Sequence, residues 1–132
     1  MSADLRHIVV ADLRKNYQGR NVDEDAAVAI YQKYIDLGKL VFVHLNVLIV
    51  YEVIGTDGIE FHCVNGGSGK DLTDAINSLL RSLSENYEWA VTYYDNPRIN
   101  DLVKYSYFPA TIDKIDDGLD RTYQMCFDLR TM

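Results

Sequence analysis

The chain has few of the residues that would assign it to a specialised class of protein. Its 132 residues include only two cysteines and two prolines, and 13 Lys and Arg stand against 20 Asp and Glu, for a net charge of −7. Cys63 and Cys126 are too few for a disulfide-stapled secreted scaffold, so we expect two free thiols and a reducing, cytoplasmic location. The acidic balance disfavours nucleic acid and membranes as partners, because both attract basic surfaces.

Long apolar runs are also missing. The stretch VFVHLNVLIVYEVI at 41–54 is too short to span a bilayer and is interrupted by His44 and Asn46. The N-terminus lacks the uninterrupted apolar segment of a signal peptide. The three histidines show no close ligand spacing with the cysteines, so no metal site is expected. With 48% hydrophobic and 25% charged residues, the composition predicts one soluble domain over residues 1–132.

One segment, residues 59–83, organises the rest of the chain. It begins as a strand in which side chains alternate between two faces, and it continues as a helix with one apolar face. One strand face carries Ile59, Phe61 and Cys63, and the other carries Glu60, His62 and Val64. The helical apolar positions are Leu72, Ala75, Ile76, Leu79, Leu80 and Leu83. The helix is therefore predicted to pack against the core.

The turn between them, Asn-Gly-Gly-Ser-Gly at 65–69, is rich in glycine. Backbone amides at a helix N-terminus attract anions, so this turn could cradle a phosphate. A Walker A loop is excluded, because it needs glycine at Val64 and Ser or Thr at Asp71, and a dinucleotide fingerprint needs glycine at Leu72. An ordinary strand-to-helix turn explains the remaining Gly-x-Gly-x-x-Leu pattern equally well.

The other segments predict a mixed fold of strands and helices. Residues 5–10 fit a strand or a short helix, and we favour a strand. A helix follows from Asp23 to Gly38, strands occupy 40–54 before an Asp57-Gly58 hairpin turn, and 89–94 is a strand. A helix at 98–107 and strands at 110–115 and 122–129 complete the order. Because a helix joins the strands at 59–65 and 89–94, we expect these two to be parallel.

Two segments together resemble the GCN5-related N-acetyltransferase (GNAT) superfamily. The first is VNGGSGKDL at 64–72, and the second is DNPRINDLVKYSYF at 95–108. In the second, Asn96, Ile99, Leu102, Val103 and the pair Tyr107-Phe108 are spaced like the closing motif Asn-x-x-Ala-x-x-Leu-Tyr-x-x-x-Gly-Phe. The resemblance implies an α/β (mixed α+β) fold with a central mixed sheet of about six to seven strands and about three flanking helices.

The resemblance also implies a site. In GNAT proteins the glycine turn binds the pyrophosphate of acetyl-CoA, the strand before it borders the pantetheine arm, and a carboxylate or histidine on that strand acts as base. This assigns Glu60 and His62 as catalytic candidates. It assigns Cys63, Val64, Gly67, Ser68, Gly69, Lys70 and Asn96 as cofactor-binding candidates, with no metal.

Three positions depart from the GNAT pattern. Val64 replaces an Arg or Gln, Tyr107 replaces a glycine, and Val103 replaces the tyrosine that would protonate the CoA thiolate. We therefore favour a noncatalytic interaction protein with degraded acyl-CoA motifs, for which acetyl-CoA binding is weak or absent. The alternative is an acetyl-CoA-dependent N-acetyltransferase acting on a small amine or a protein amine. An unrelated α/β domain is the third interpretation.

Small acidic proteins of this kind also resemble GNAT-like proteins of tailed bacteriophages. This part of the resemblance implies a virion or assembly protein, located in a bacterial cytoplasm or in a phage particle. It also implies a protein partner, either a second copy or a virion component. The ten tyrosines of the chain are compatible with such an interface or with ordinary cross-strand packing.

Overall fold

The computed structural model describes residues 2–16, 23–115 and 122–130. The helices are α1 (Ser2–Asn16), α2 (Glu24–Asp36), α3 (Gly69–Leu83) and a 3-10 helix, η1 (Pro97–Tyr105). The strands are β1 (Leu40–His44), β2 (Val47–Ile54), β3 (Gly58–Asn65), β4 (Trp89–Tyr94), β5 (Ala110–Lys114) and β6 (Tyr123–Asp128). The described strands form one six-stranded sheet in the order β1-β2-β3-β4-β6-β5.

The sheet is mixed, as predicted. β3 and β4 are parallel, with α3 as their connection, whereas β1 pairs with β2, and β6 pairs with both β4 and β5, in antiparallel register. The strands predicted at 110–115 and 122–129 are confirmed to within one residue. Residues 116–121, between these two strands, lie outside the described residues.

The predicted N-terminal strand is wrong, because residues 2–16 form helix α1. Its β-branched run, Ile8-Val9-Val10, favours a strand locally. However, Leu5, Ile8 and Val9 are all buried and Leu13 packs beside them. This spacing of three, four and eight residues places them on one helical face, and packing of that face overrides the local preference.

Packing divides the chain into two compact units, Met1–Tyr51 with Cys63–Ala75, and Glu52–His62 with Ile76–Met132. In the first unit, residues of α1 and α2 pack on Leu48 and Val64. In the second unit, the strand registers stack buried side chains in two rows across the sheet. The rows are Ile59, Ala90 and Phe127, and Phe61, Thr92 and Met125.

The caps of α2 follow the sequence prediction. The Asp23 carboxylate accepts a hydrogen bond of 3.1 Å from the Ala26 amide, and Gly38 adopts a φ of 88° after the helix. Ala27, Val28, Tyr31 and Ile35 pack on the core of the first unit. Ile30 and Tyr34 of the same helix are exposed.

The hairpin turn lies one residue before its predicted place. It occupies residues 55–57, and Gly55 rather than Gly58 has a positive φ, of 64°. Gly58 is buried in β3, where a Cβ atom would overlap the indole ring of Trp89. Glycine is therefore needed at Gly58 for close packing rather than for a turn conformation.

The final predicted helix, 98–107, is the 3-10 helix η1, which begins at Pro97 and ends at Tyr105. Cys63 and Cys126 are both free thiols, as expected. Among the described residues, no helix combines the length and the apolar character needed to cross a membrane.

Candidate active site

Strand β3 places the two predicted catalytic residues on one face. Ile59 and Phe61 point to the buried side, whereas Glu60 is partly buried and His62 is exposed. The strand register aligns Glu60 with Val91 of β4 and, through it, with Cys126 of β6. The structure thus brings Glu60 and His62 onto the same side of the sheet.

His62 lies just beyond the last register pair between β3 and β4. Their described pairing runs from Gly58 and Trp89 to Phe61 and Thr92, although both strands continue further. Desolvation by the surrounding protein lowers the pKa of His62 below its usual value, even though part of the ring reaches solvent. Near neutral pH the imidazole is therefore uncharged, which is the form that can accept a proton.

Carboxylates that sequence reasoning missed lie on the same face of the second unit. Burial raises the pKa of the Cys126 thiol, and the nearby carboxylates Asp128 and Asp113 raise it further. A thiol with a raised pKa is a poor nucleophile at neutral pH. Asp128 is paired with Arg130 at 3.2 Å, and that hydrogen bond lowers the pKa of Asp128. Alternation along the two final strands was the signal that could have placed these residues with Glu60.

The two candidates that follow on β3 contribute backbone rather than reactive side chains. Val64 is buried in the core of the first unit. Burial raises the pKa of the Cys63 thiol, so its side chain is kept protonated. The predicted role of both residues, bordering a pantetheine arm, uses only their backbone and stays a prediction.

The glycine turn belongs to the first unit, and hydrogen bonds to other residues of that unit hold it in place. The Gly66 amide donates to the Asn46 carbonyl at 2.8 Å, and the Gly67 amide donates to the Asn65 side-chain oxygen at 2.9 Å. The Asn65 side-chain amide donates to the Ser68 carbonyl at 3.1 Å. The amides of Gly66 and Gly67 therefore already have acceptors.

Ser68 and Asp71 complete this closure as a capping box. The Asp71 amide donates to the Ser68 hydroxyl at 3.1 Å, and the Ser68 amide donates to the Asp71 carboxylate at 3.2 Å. This reciprocal pattern satisfies two amides at the start of α3. A carboxylate of the chain is thus the acceptor for an amide at the start of α3. The Ser-x-x-Asp spacing at 68–71 was the signal for it.

The glycines allow this close approach. A Cβ atom at Gly67 would overlap the Asp71 carboxylate, and one at Gly66 would lie 3.0 Å from the Ile8 carbonyl oxygen. At Gly69 nothing lies within 4 Å of that position. Ser68, Gly69 and Lys70 are all exposed, so these three turn candidates lie on the surface.

Asn96 belongs to the second unit and acts as a helix cap. Its side-chain oxygen accepts a hydrogen bond of 3.0 Å from the Arg98 amide. Val103 is partly buried, and Tyr105, which could have replaced the missing acid, is 70% exposed. The Tyr94 hydroxyl donates a hydrogen bond of 2.5 Å to the side-chain oxygen of Asn100. Burial beside Tyr123 raises the pKa of Tyr94 to about 12.

No group of three or more His, Cys, Asp or Glu residues suited to a metal ion occurs in the part of the chain that the structure describes. The face of β3 carries Glu60 and His62, residue types that act as general bases in enzymes.

Solved structures similar to this chain are acetyltransferases. Aminoglycoside 6'-acetyltransferase type Ii superposes with a TM-score of 0.65 at 12% identity, covering 99% of this chain and 91% of that one. A spermidine N-acetyltransferase chimera from Vibrio cholerae and hSSAT gives 0.62 at 18% identity, with coverages of 98% and 92%. The ribosomal-protein-alanine N-acetyltransferase of Brucella melitensis gives 0.58 at 14%, with coverages of 97% and 96%.

No family model matches the chain, and no curated protein matches it. The six-stranded mixed sheet, the parallel β3–α3–β4 crossover and the superpositions over nearly the whole chain agree with one another. The chain has the GNAT acetyltransferase fold.

Proposed function

We propose that this chain is a GNAT-fold protein that has lost tight acyl-CoA binding and acts as a noncatalytic interaction protein. The observation that carries the proposal is the Asp71 carboxylate in the glycine turn, where it accepts a hydrogen bond from the Ser68 amide. An incoming pyrophosphate would have to displace this carboxylate and would be repelled by its charge.

The rest of the turn supports the same conclusion. The amides of Gly66 and Gly67 have acceptors within the chain, so an anion gains little by replacing them. Lys70 is the one cation in residues 65–71, and Asp71 balances its charge. Val64, at the position where GNAT proteins carry Arg or Gln, adds neither charge nor a hydrogen-bond donor.

The acid that catalysis needs is also missing. Protonation of the leaving thiolate contributes about 10²–10⁴-fold to such reactions. Val103 has no ionisable group, and Tyr105 is exposed at the end of η1. Without an acid, the proton-accepting groups on β3 supply only half of the proton transfers that acyl transfer requires.

An exposed aromatic pair supports the interaction role. Tyr105 and Tyr107 are both exposed, and the Arg81 guanidinium lies 4.6 Å from the Tyr107 ring centre. Asn77 fixes this segment, because its side chain donates to the Tyr105 carbonyl at 3.1 Å and accepts from the Tyr107 amide at 2.9 Å. Tyrosine and arginine held rigidly at a surface are typical of protein interfaces.

The proposed partner is a protein, and the proposal extends to a virion or assembly protein of a tailed bacteriophage. That extension rests on the resemblance of this small acidic chain to GNAT-like phage proteins. It places the protein in the cytoplasm of a bacterial host or inside a phage particle.

An acetyl-CoA-dependent N-acetyltransferase is the second candidate. It is favoured by the placement of Glu60 and the neutral His62 on one face of the sheet. Asp113 and Asp128 on the same side of the second unit would suit a cationic amine, and the similar structures are themselves amine acetyltransferases.

Thiol release from acetyl-CoA, measured over polyamines, amino acids and peptides, separates the two candidates. We expect no release above the rate without protein. Turnover that is abolished by Glu60→Gln or His62→Ala would establish the enzyme and reject the noncatalytic proposal. Turnover that survives both substitutions would also reject it, with a different residue as base.

A further inference from the structure

An uncovered apolar surface lies at one edge of the first unit. We call it the β1 edge surface. It consists of Ile30 and Tyr34 on α2, Leu37 at the C-cap of α2, Val43 on β1, and Leu45 in the following turn. These side chains are exposed over 36% (Val43) to 68% (Leu37) of their area. Several exposed apolar side chains on neighbouring elements are typical of interaction surfaces in soluble proteins.

The α2 part of this surface faces away from α1. Ile30, Tyr34 and Leu37 are spaced by four and three residues, so they form one stripe along the helix. Two ion pairs join α2 to α1. Glu24 contacts Arg14 at 3.3 Å, and Asp25 contacts Arg6 at 2.6 Å. At 100° per residue these two acids lie on the opposite side of α2 from the stripe.

The stripe therefore points toward the free side of β1. Val41 of β1 packs in the same cluster as the inward side chains of α2, so α2 covers this end of the sheet. Val43, two residues further, shares the face of Val41. Strand β1 pairs with β2 and ends the strand order, so its other side is a sheet edge.

The two edges of the sheet are built differently. Edge strand β5, Ala-Thr-Ile-Asp-Lys, exposes Asp113 and Lys114, the kind of charge that prevents edge-to-edge pairing. Edge strand β1, Leu-Val-Phe-Val-His, has no Asp, Glu, Lys, Arg or proline. Strand β1 is therefore open to a further strand, whereas β5 is protected.

We propose that the β1 edge surface binds a second copy of this chain through antiparallel β1–β1 pairing about a twofold axis near Phe42. Such an axis, perpendicular to the sheet, keeps α2 of each copy on the same face and brings the two stripes together. Strand β1 has five residues centred on Phe42. Antiparallel pairing of two copies about Phe42 therefore places each residue of β1 opposite a residue of the partner strand.

Charge favours a second copy as the occupant. The chain carries 20 Asp and Glu and a net charge of −7, so two copies repel each other over most of their surface. Residues 37–51 contain no Asp or Glu and form the longest acid-free stretch of the sequence. The β1 edge surface is thus where two acidic copies can approach with the least repulsion.

The expected dimer is weak. Full burial of an aliphatic side chain removes on the order of 100 Å² from water. Five half-exposed side chains then supply roughly 250 Å² per copy, against about 800 Å² per partner in a standard interface. The backbone of β1 adds its hydrogen bonds, so we expect a dimer that forms and dissociates with protein concentration. This inference does not depend on whether the chain is catalytic.

Sedimentation velocity from micromolar to millimolar concentration tests the proposal. We expect a monomer–dimer equilibrium in the unmodified chain. Val43→Lys should raise the dimer dissociation constant at least tenfold, because each copy would bring a charge into an apolar contact. Thr111→Lys, an exposed position on the opposite edge strand, is the matched control and should leave the constant unchanged.

Far-UV circular dichroism verifies that both variants are folded, as expected for exposed positions. Ile30→Glu, on the stripe of α2, provides a second disruption that leaves β1 intact and should also weaken the dimer. A monomer at every concentration would overturn the proposal. A dimer that Val43→Lys and Ile30→Glu leave unchanged would overturn it as well, because the interface would then lie elsewhere.

Discussion

At Gly58 the absence of a side chain is a packing requirement. Because a Cβ atom there would overlap the Trp89 ring, Gly58→Ala must displace a large side chain or the strand itself. We expect the free energy of unfolding to fall by about 1–3 kcal/mol, the usual cost of overpacking. Urea denaturation of the variant and of the unmodified chain measures the difference.

Gly69→Ala is the matched control for this prediction. No atom lies within 4 Å of the added methyl group, and Gly69 begins α3 without a positive φ. Its effect should stay within about 1 kcal/mol and can be stabilising, since alanine restricts the unfolded chain more than glycine does. Equal losses in both variants would show that close packing on Trp89 is not the cause.

His62 makes stability depend on pH. Its pKa is lowered in the folded state, so the unfolded chain binds a proton more readily. The contribution of the neutral imidazole to the free energy of unfolding is fully present above pH 6.5, the ordinary pKa of histidine. It is lost as the pH falls through the lowered pKa of the folded state. We therefore expect the free energy of unfolding to decrease as the pH falls from neutral through 6.5 and below, and His62→Gln to reduce that decrease.

Urea titrations of both proteins across this range provide the measurement. Since carboxylates also titrate near its acid end, the difference between the two proteins is the informative quantity. Identical pH profiles for His62→Gln and the unmodified chain would contradict the proposed burial effect at His62.

At the scale of elements, Asn77 of α3 orders the segment that carries the exposed tyrosines. Its two hydrogen bonds reach Tyr105 and Tyr107 across 28 and 30 residues of chain. Asn77→Ala should lower the free energy of unfolding by about 0.5–1.5 kcal/mol for each bond lost. Hydrogen exchange at the Tyr107 amide should speed up most, because that amide loses its acceptor.

Asn86→Ala serves as the control, since Asn86 is an exposed residue that follows α3. Its effect on stability and on exchange at Tyr107 should be small. If Tyr107 exchanges at the same rate in Asn77→Ala and in the unmodified chain, Asn77 does not order the segment.

Elements with a clear period or a cap could be predicted from the sequence. The six apolar positions from Leu72 to Leu83 defined α3, and Asp23 and Gly38 marked the ends of α2. In α1 the β-branched run at 8–10 favoured a strand, but the packing of Leu5 and Leu13 over a helical spacing decided the structure. Tertiary packing of this kind is not visible in local propensity.

The candidate site could be predicted only in outline. Alternation along β3 correctly placed Glu60 and His62 on one face. The capping role of Asp71 was not predicted, because phosphate-loop patterns are defined by glycines and a lysine rather than by carboxylates. Whether an amide is available to a ligand depends on the acceptors around it, and a glycine pattern does not report those acceptors.

For the whole molecule, the fold and the chemistry of a GNAT site depend on different residues. The chain superposes on acetyltransferases over nearly its full length at 12–18% identity. Such a sheet is specified by its buried rows and its crossover, which tolerate wide sequence change. The groups that bind acyl-CoA are few and exposed, so they can be lost without loss of the fold.

Calorimetric titration with acetyl-CoA measures whether the Asp71 carboxylate closes the glycine turn to an anionic ligand. We expect weak or no binding by the unmodified chain. Asp71→Asn keeps an oxygen acceptor for the Ser68 amide but removes the charge, so it should bind acetyl-CoA at least tenfold more tightly. Tight binding by the unmodified chain, with no gain in Asp71→Asn, would contradict the account.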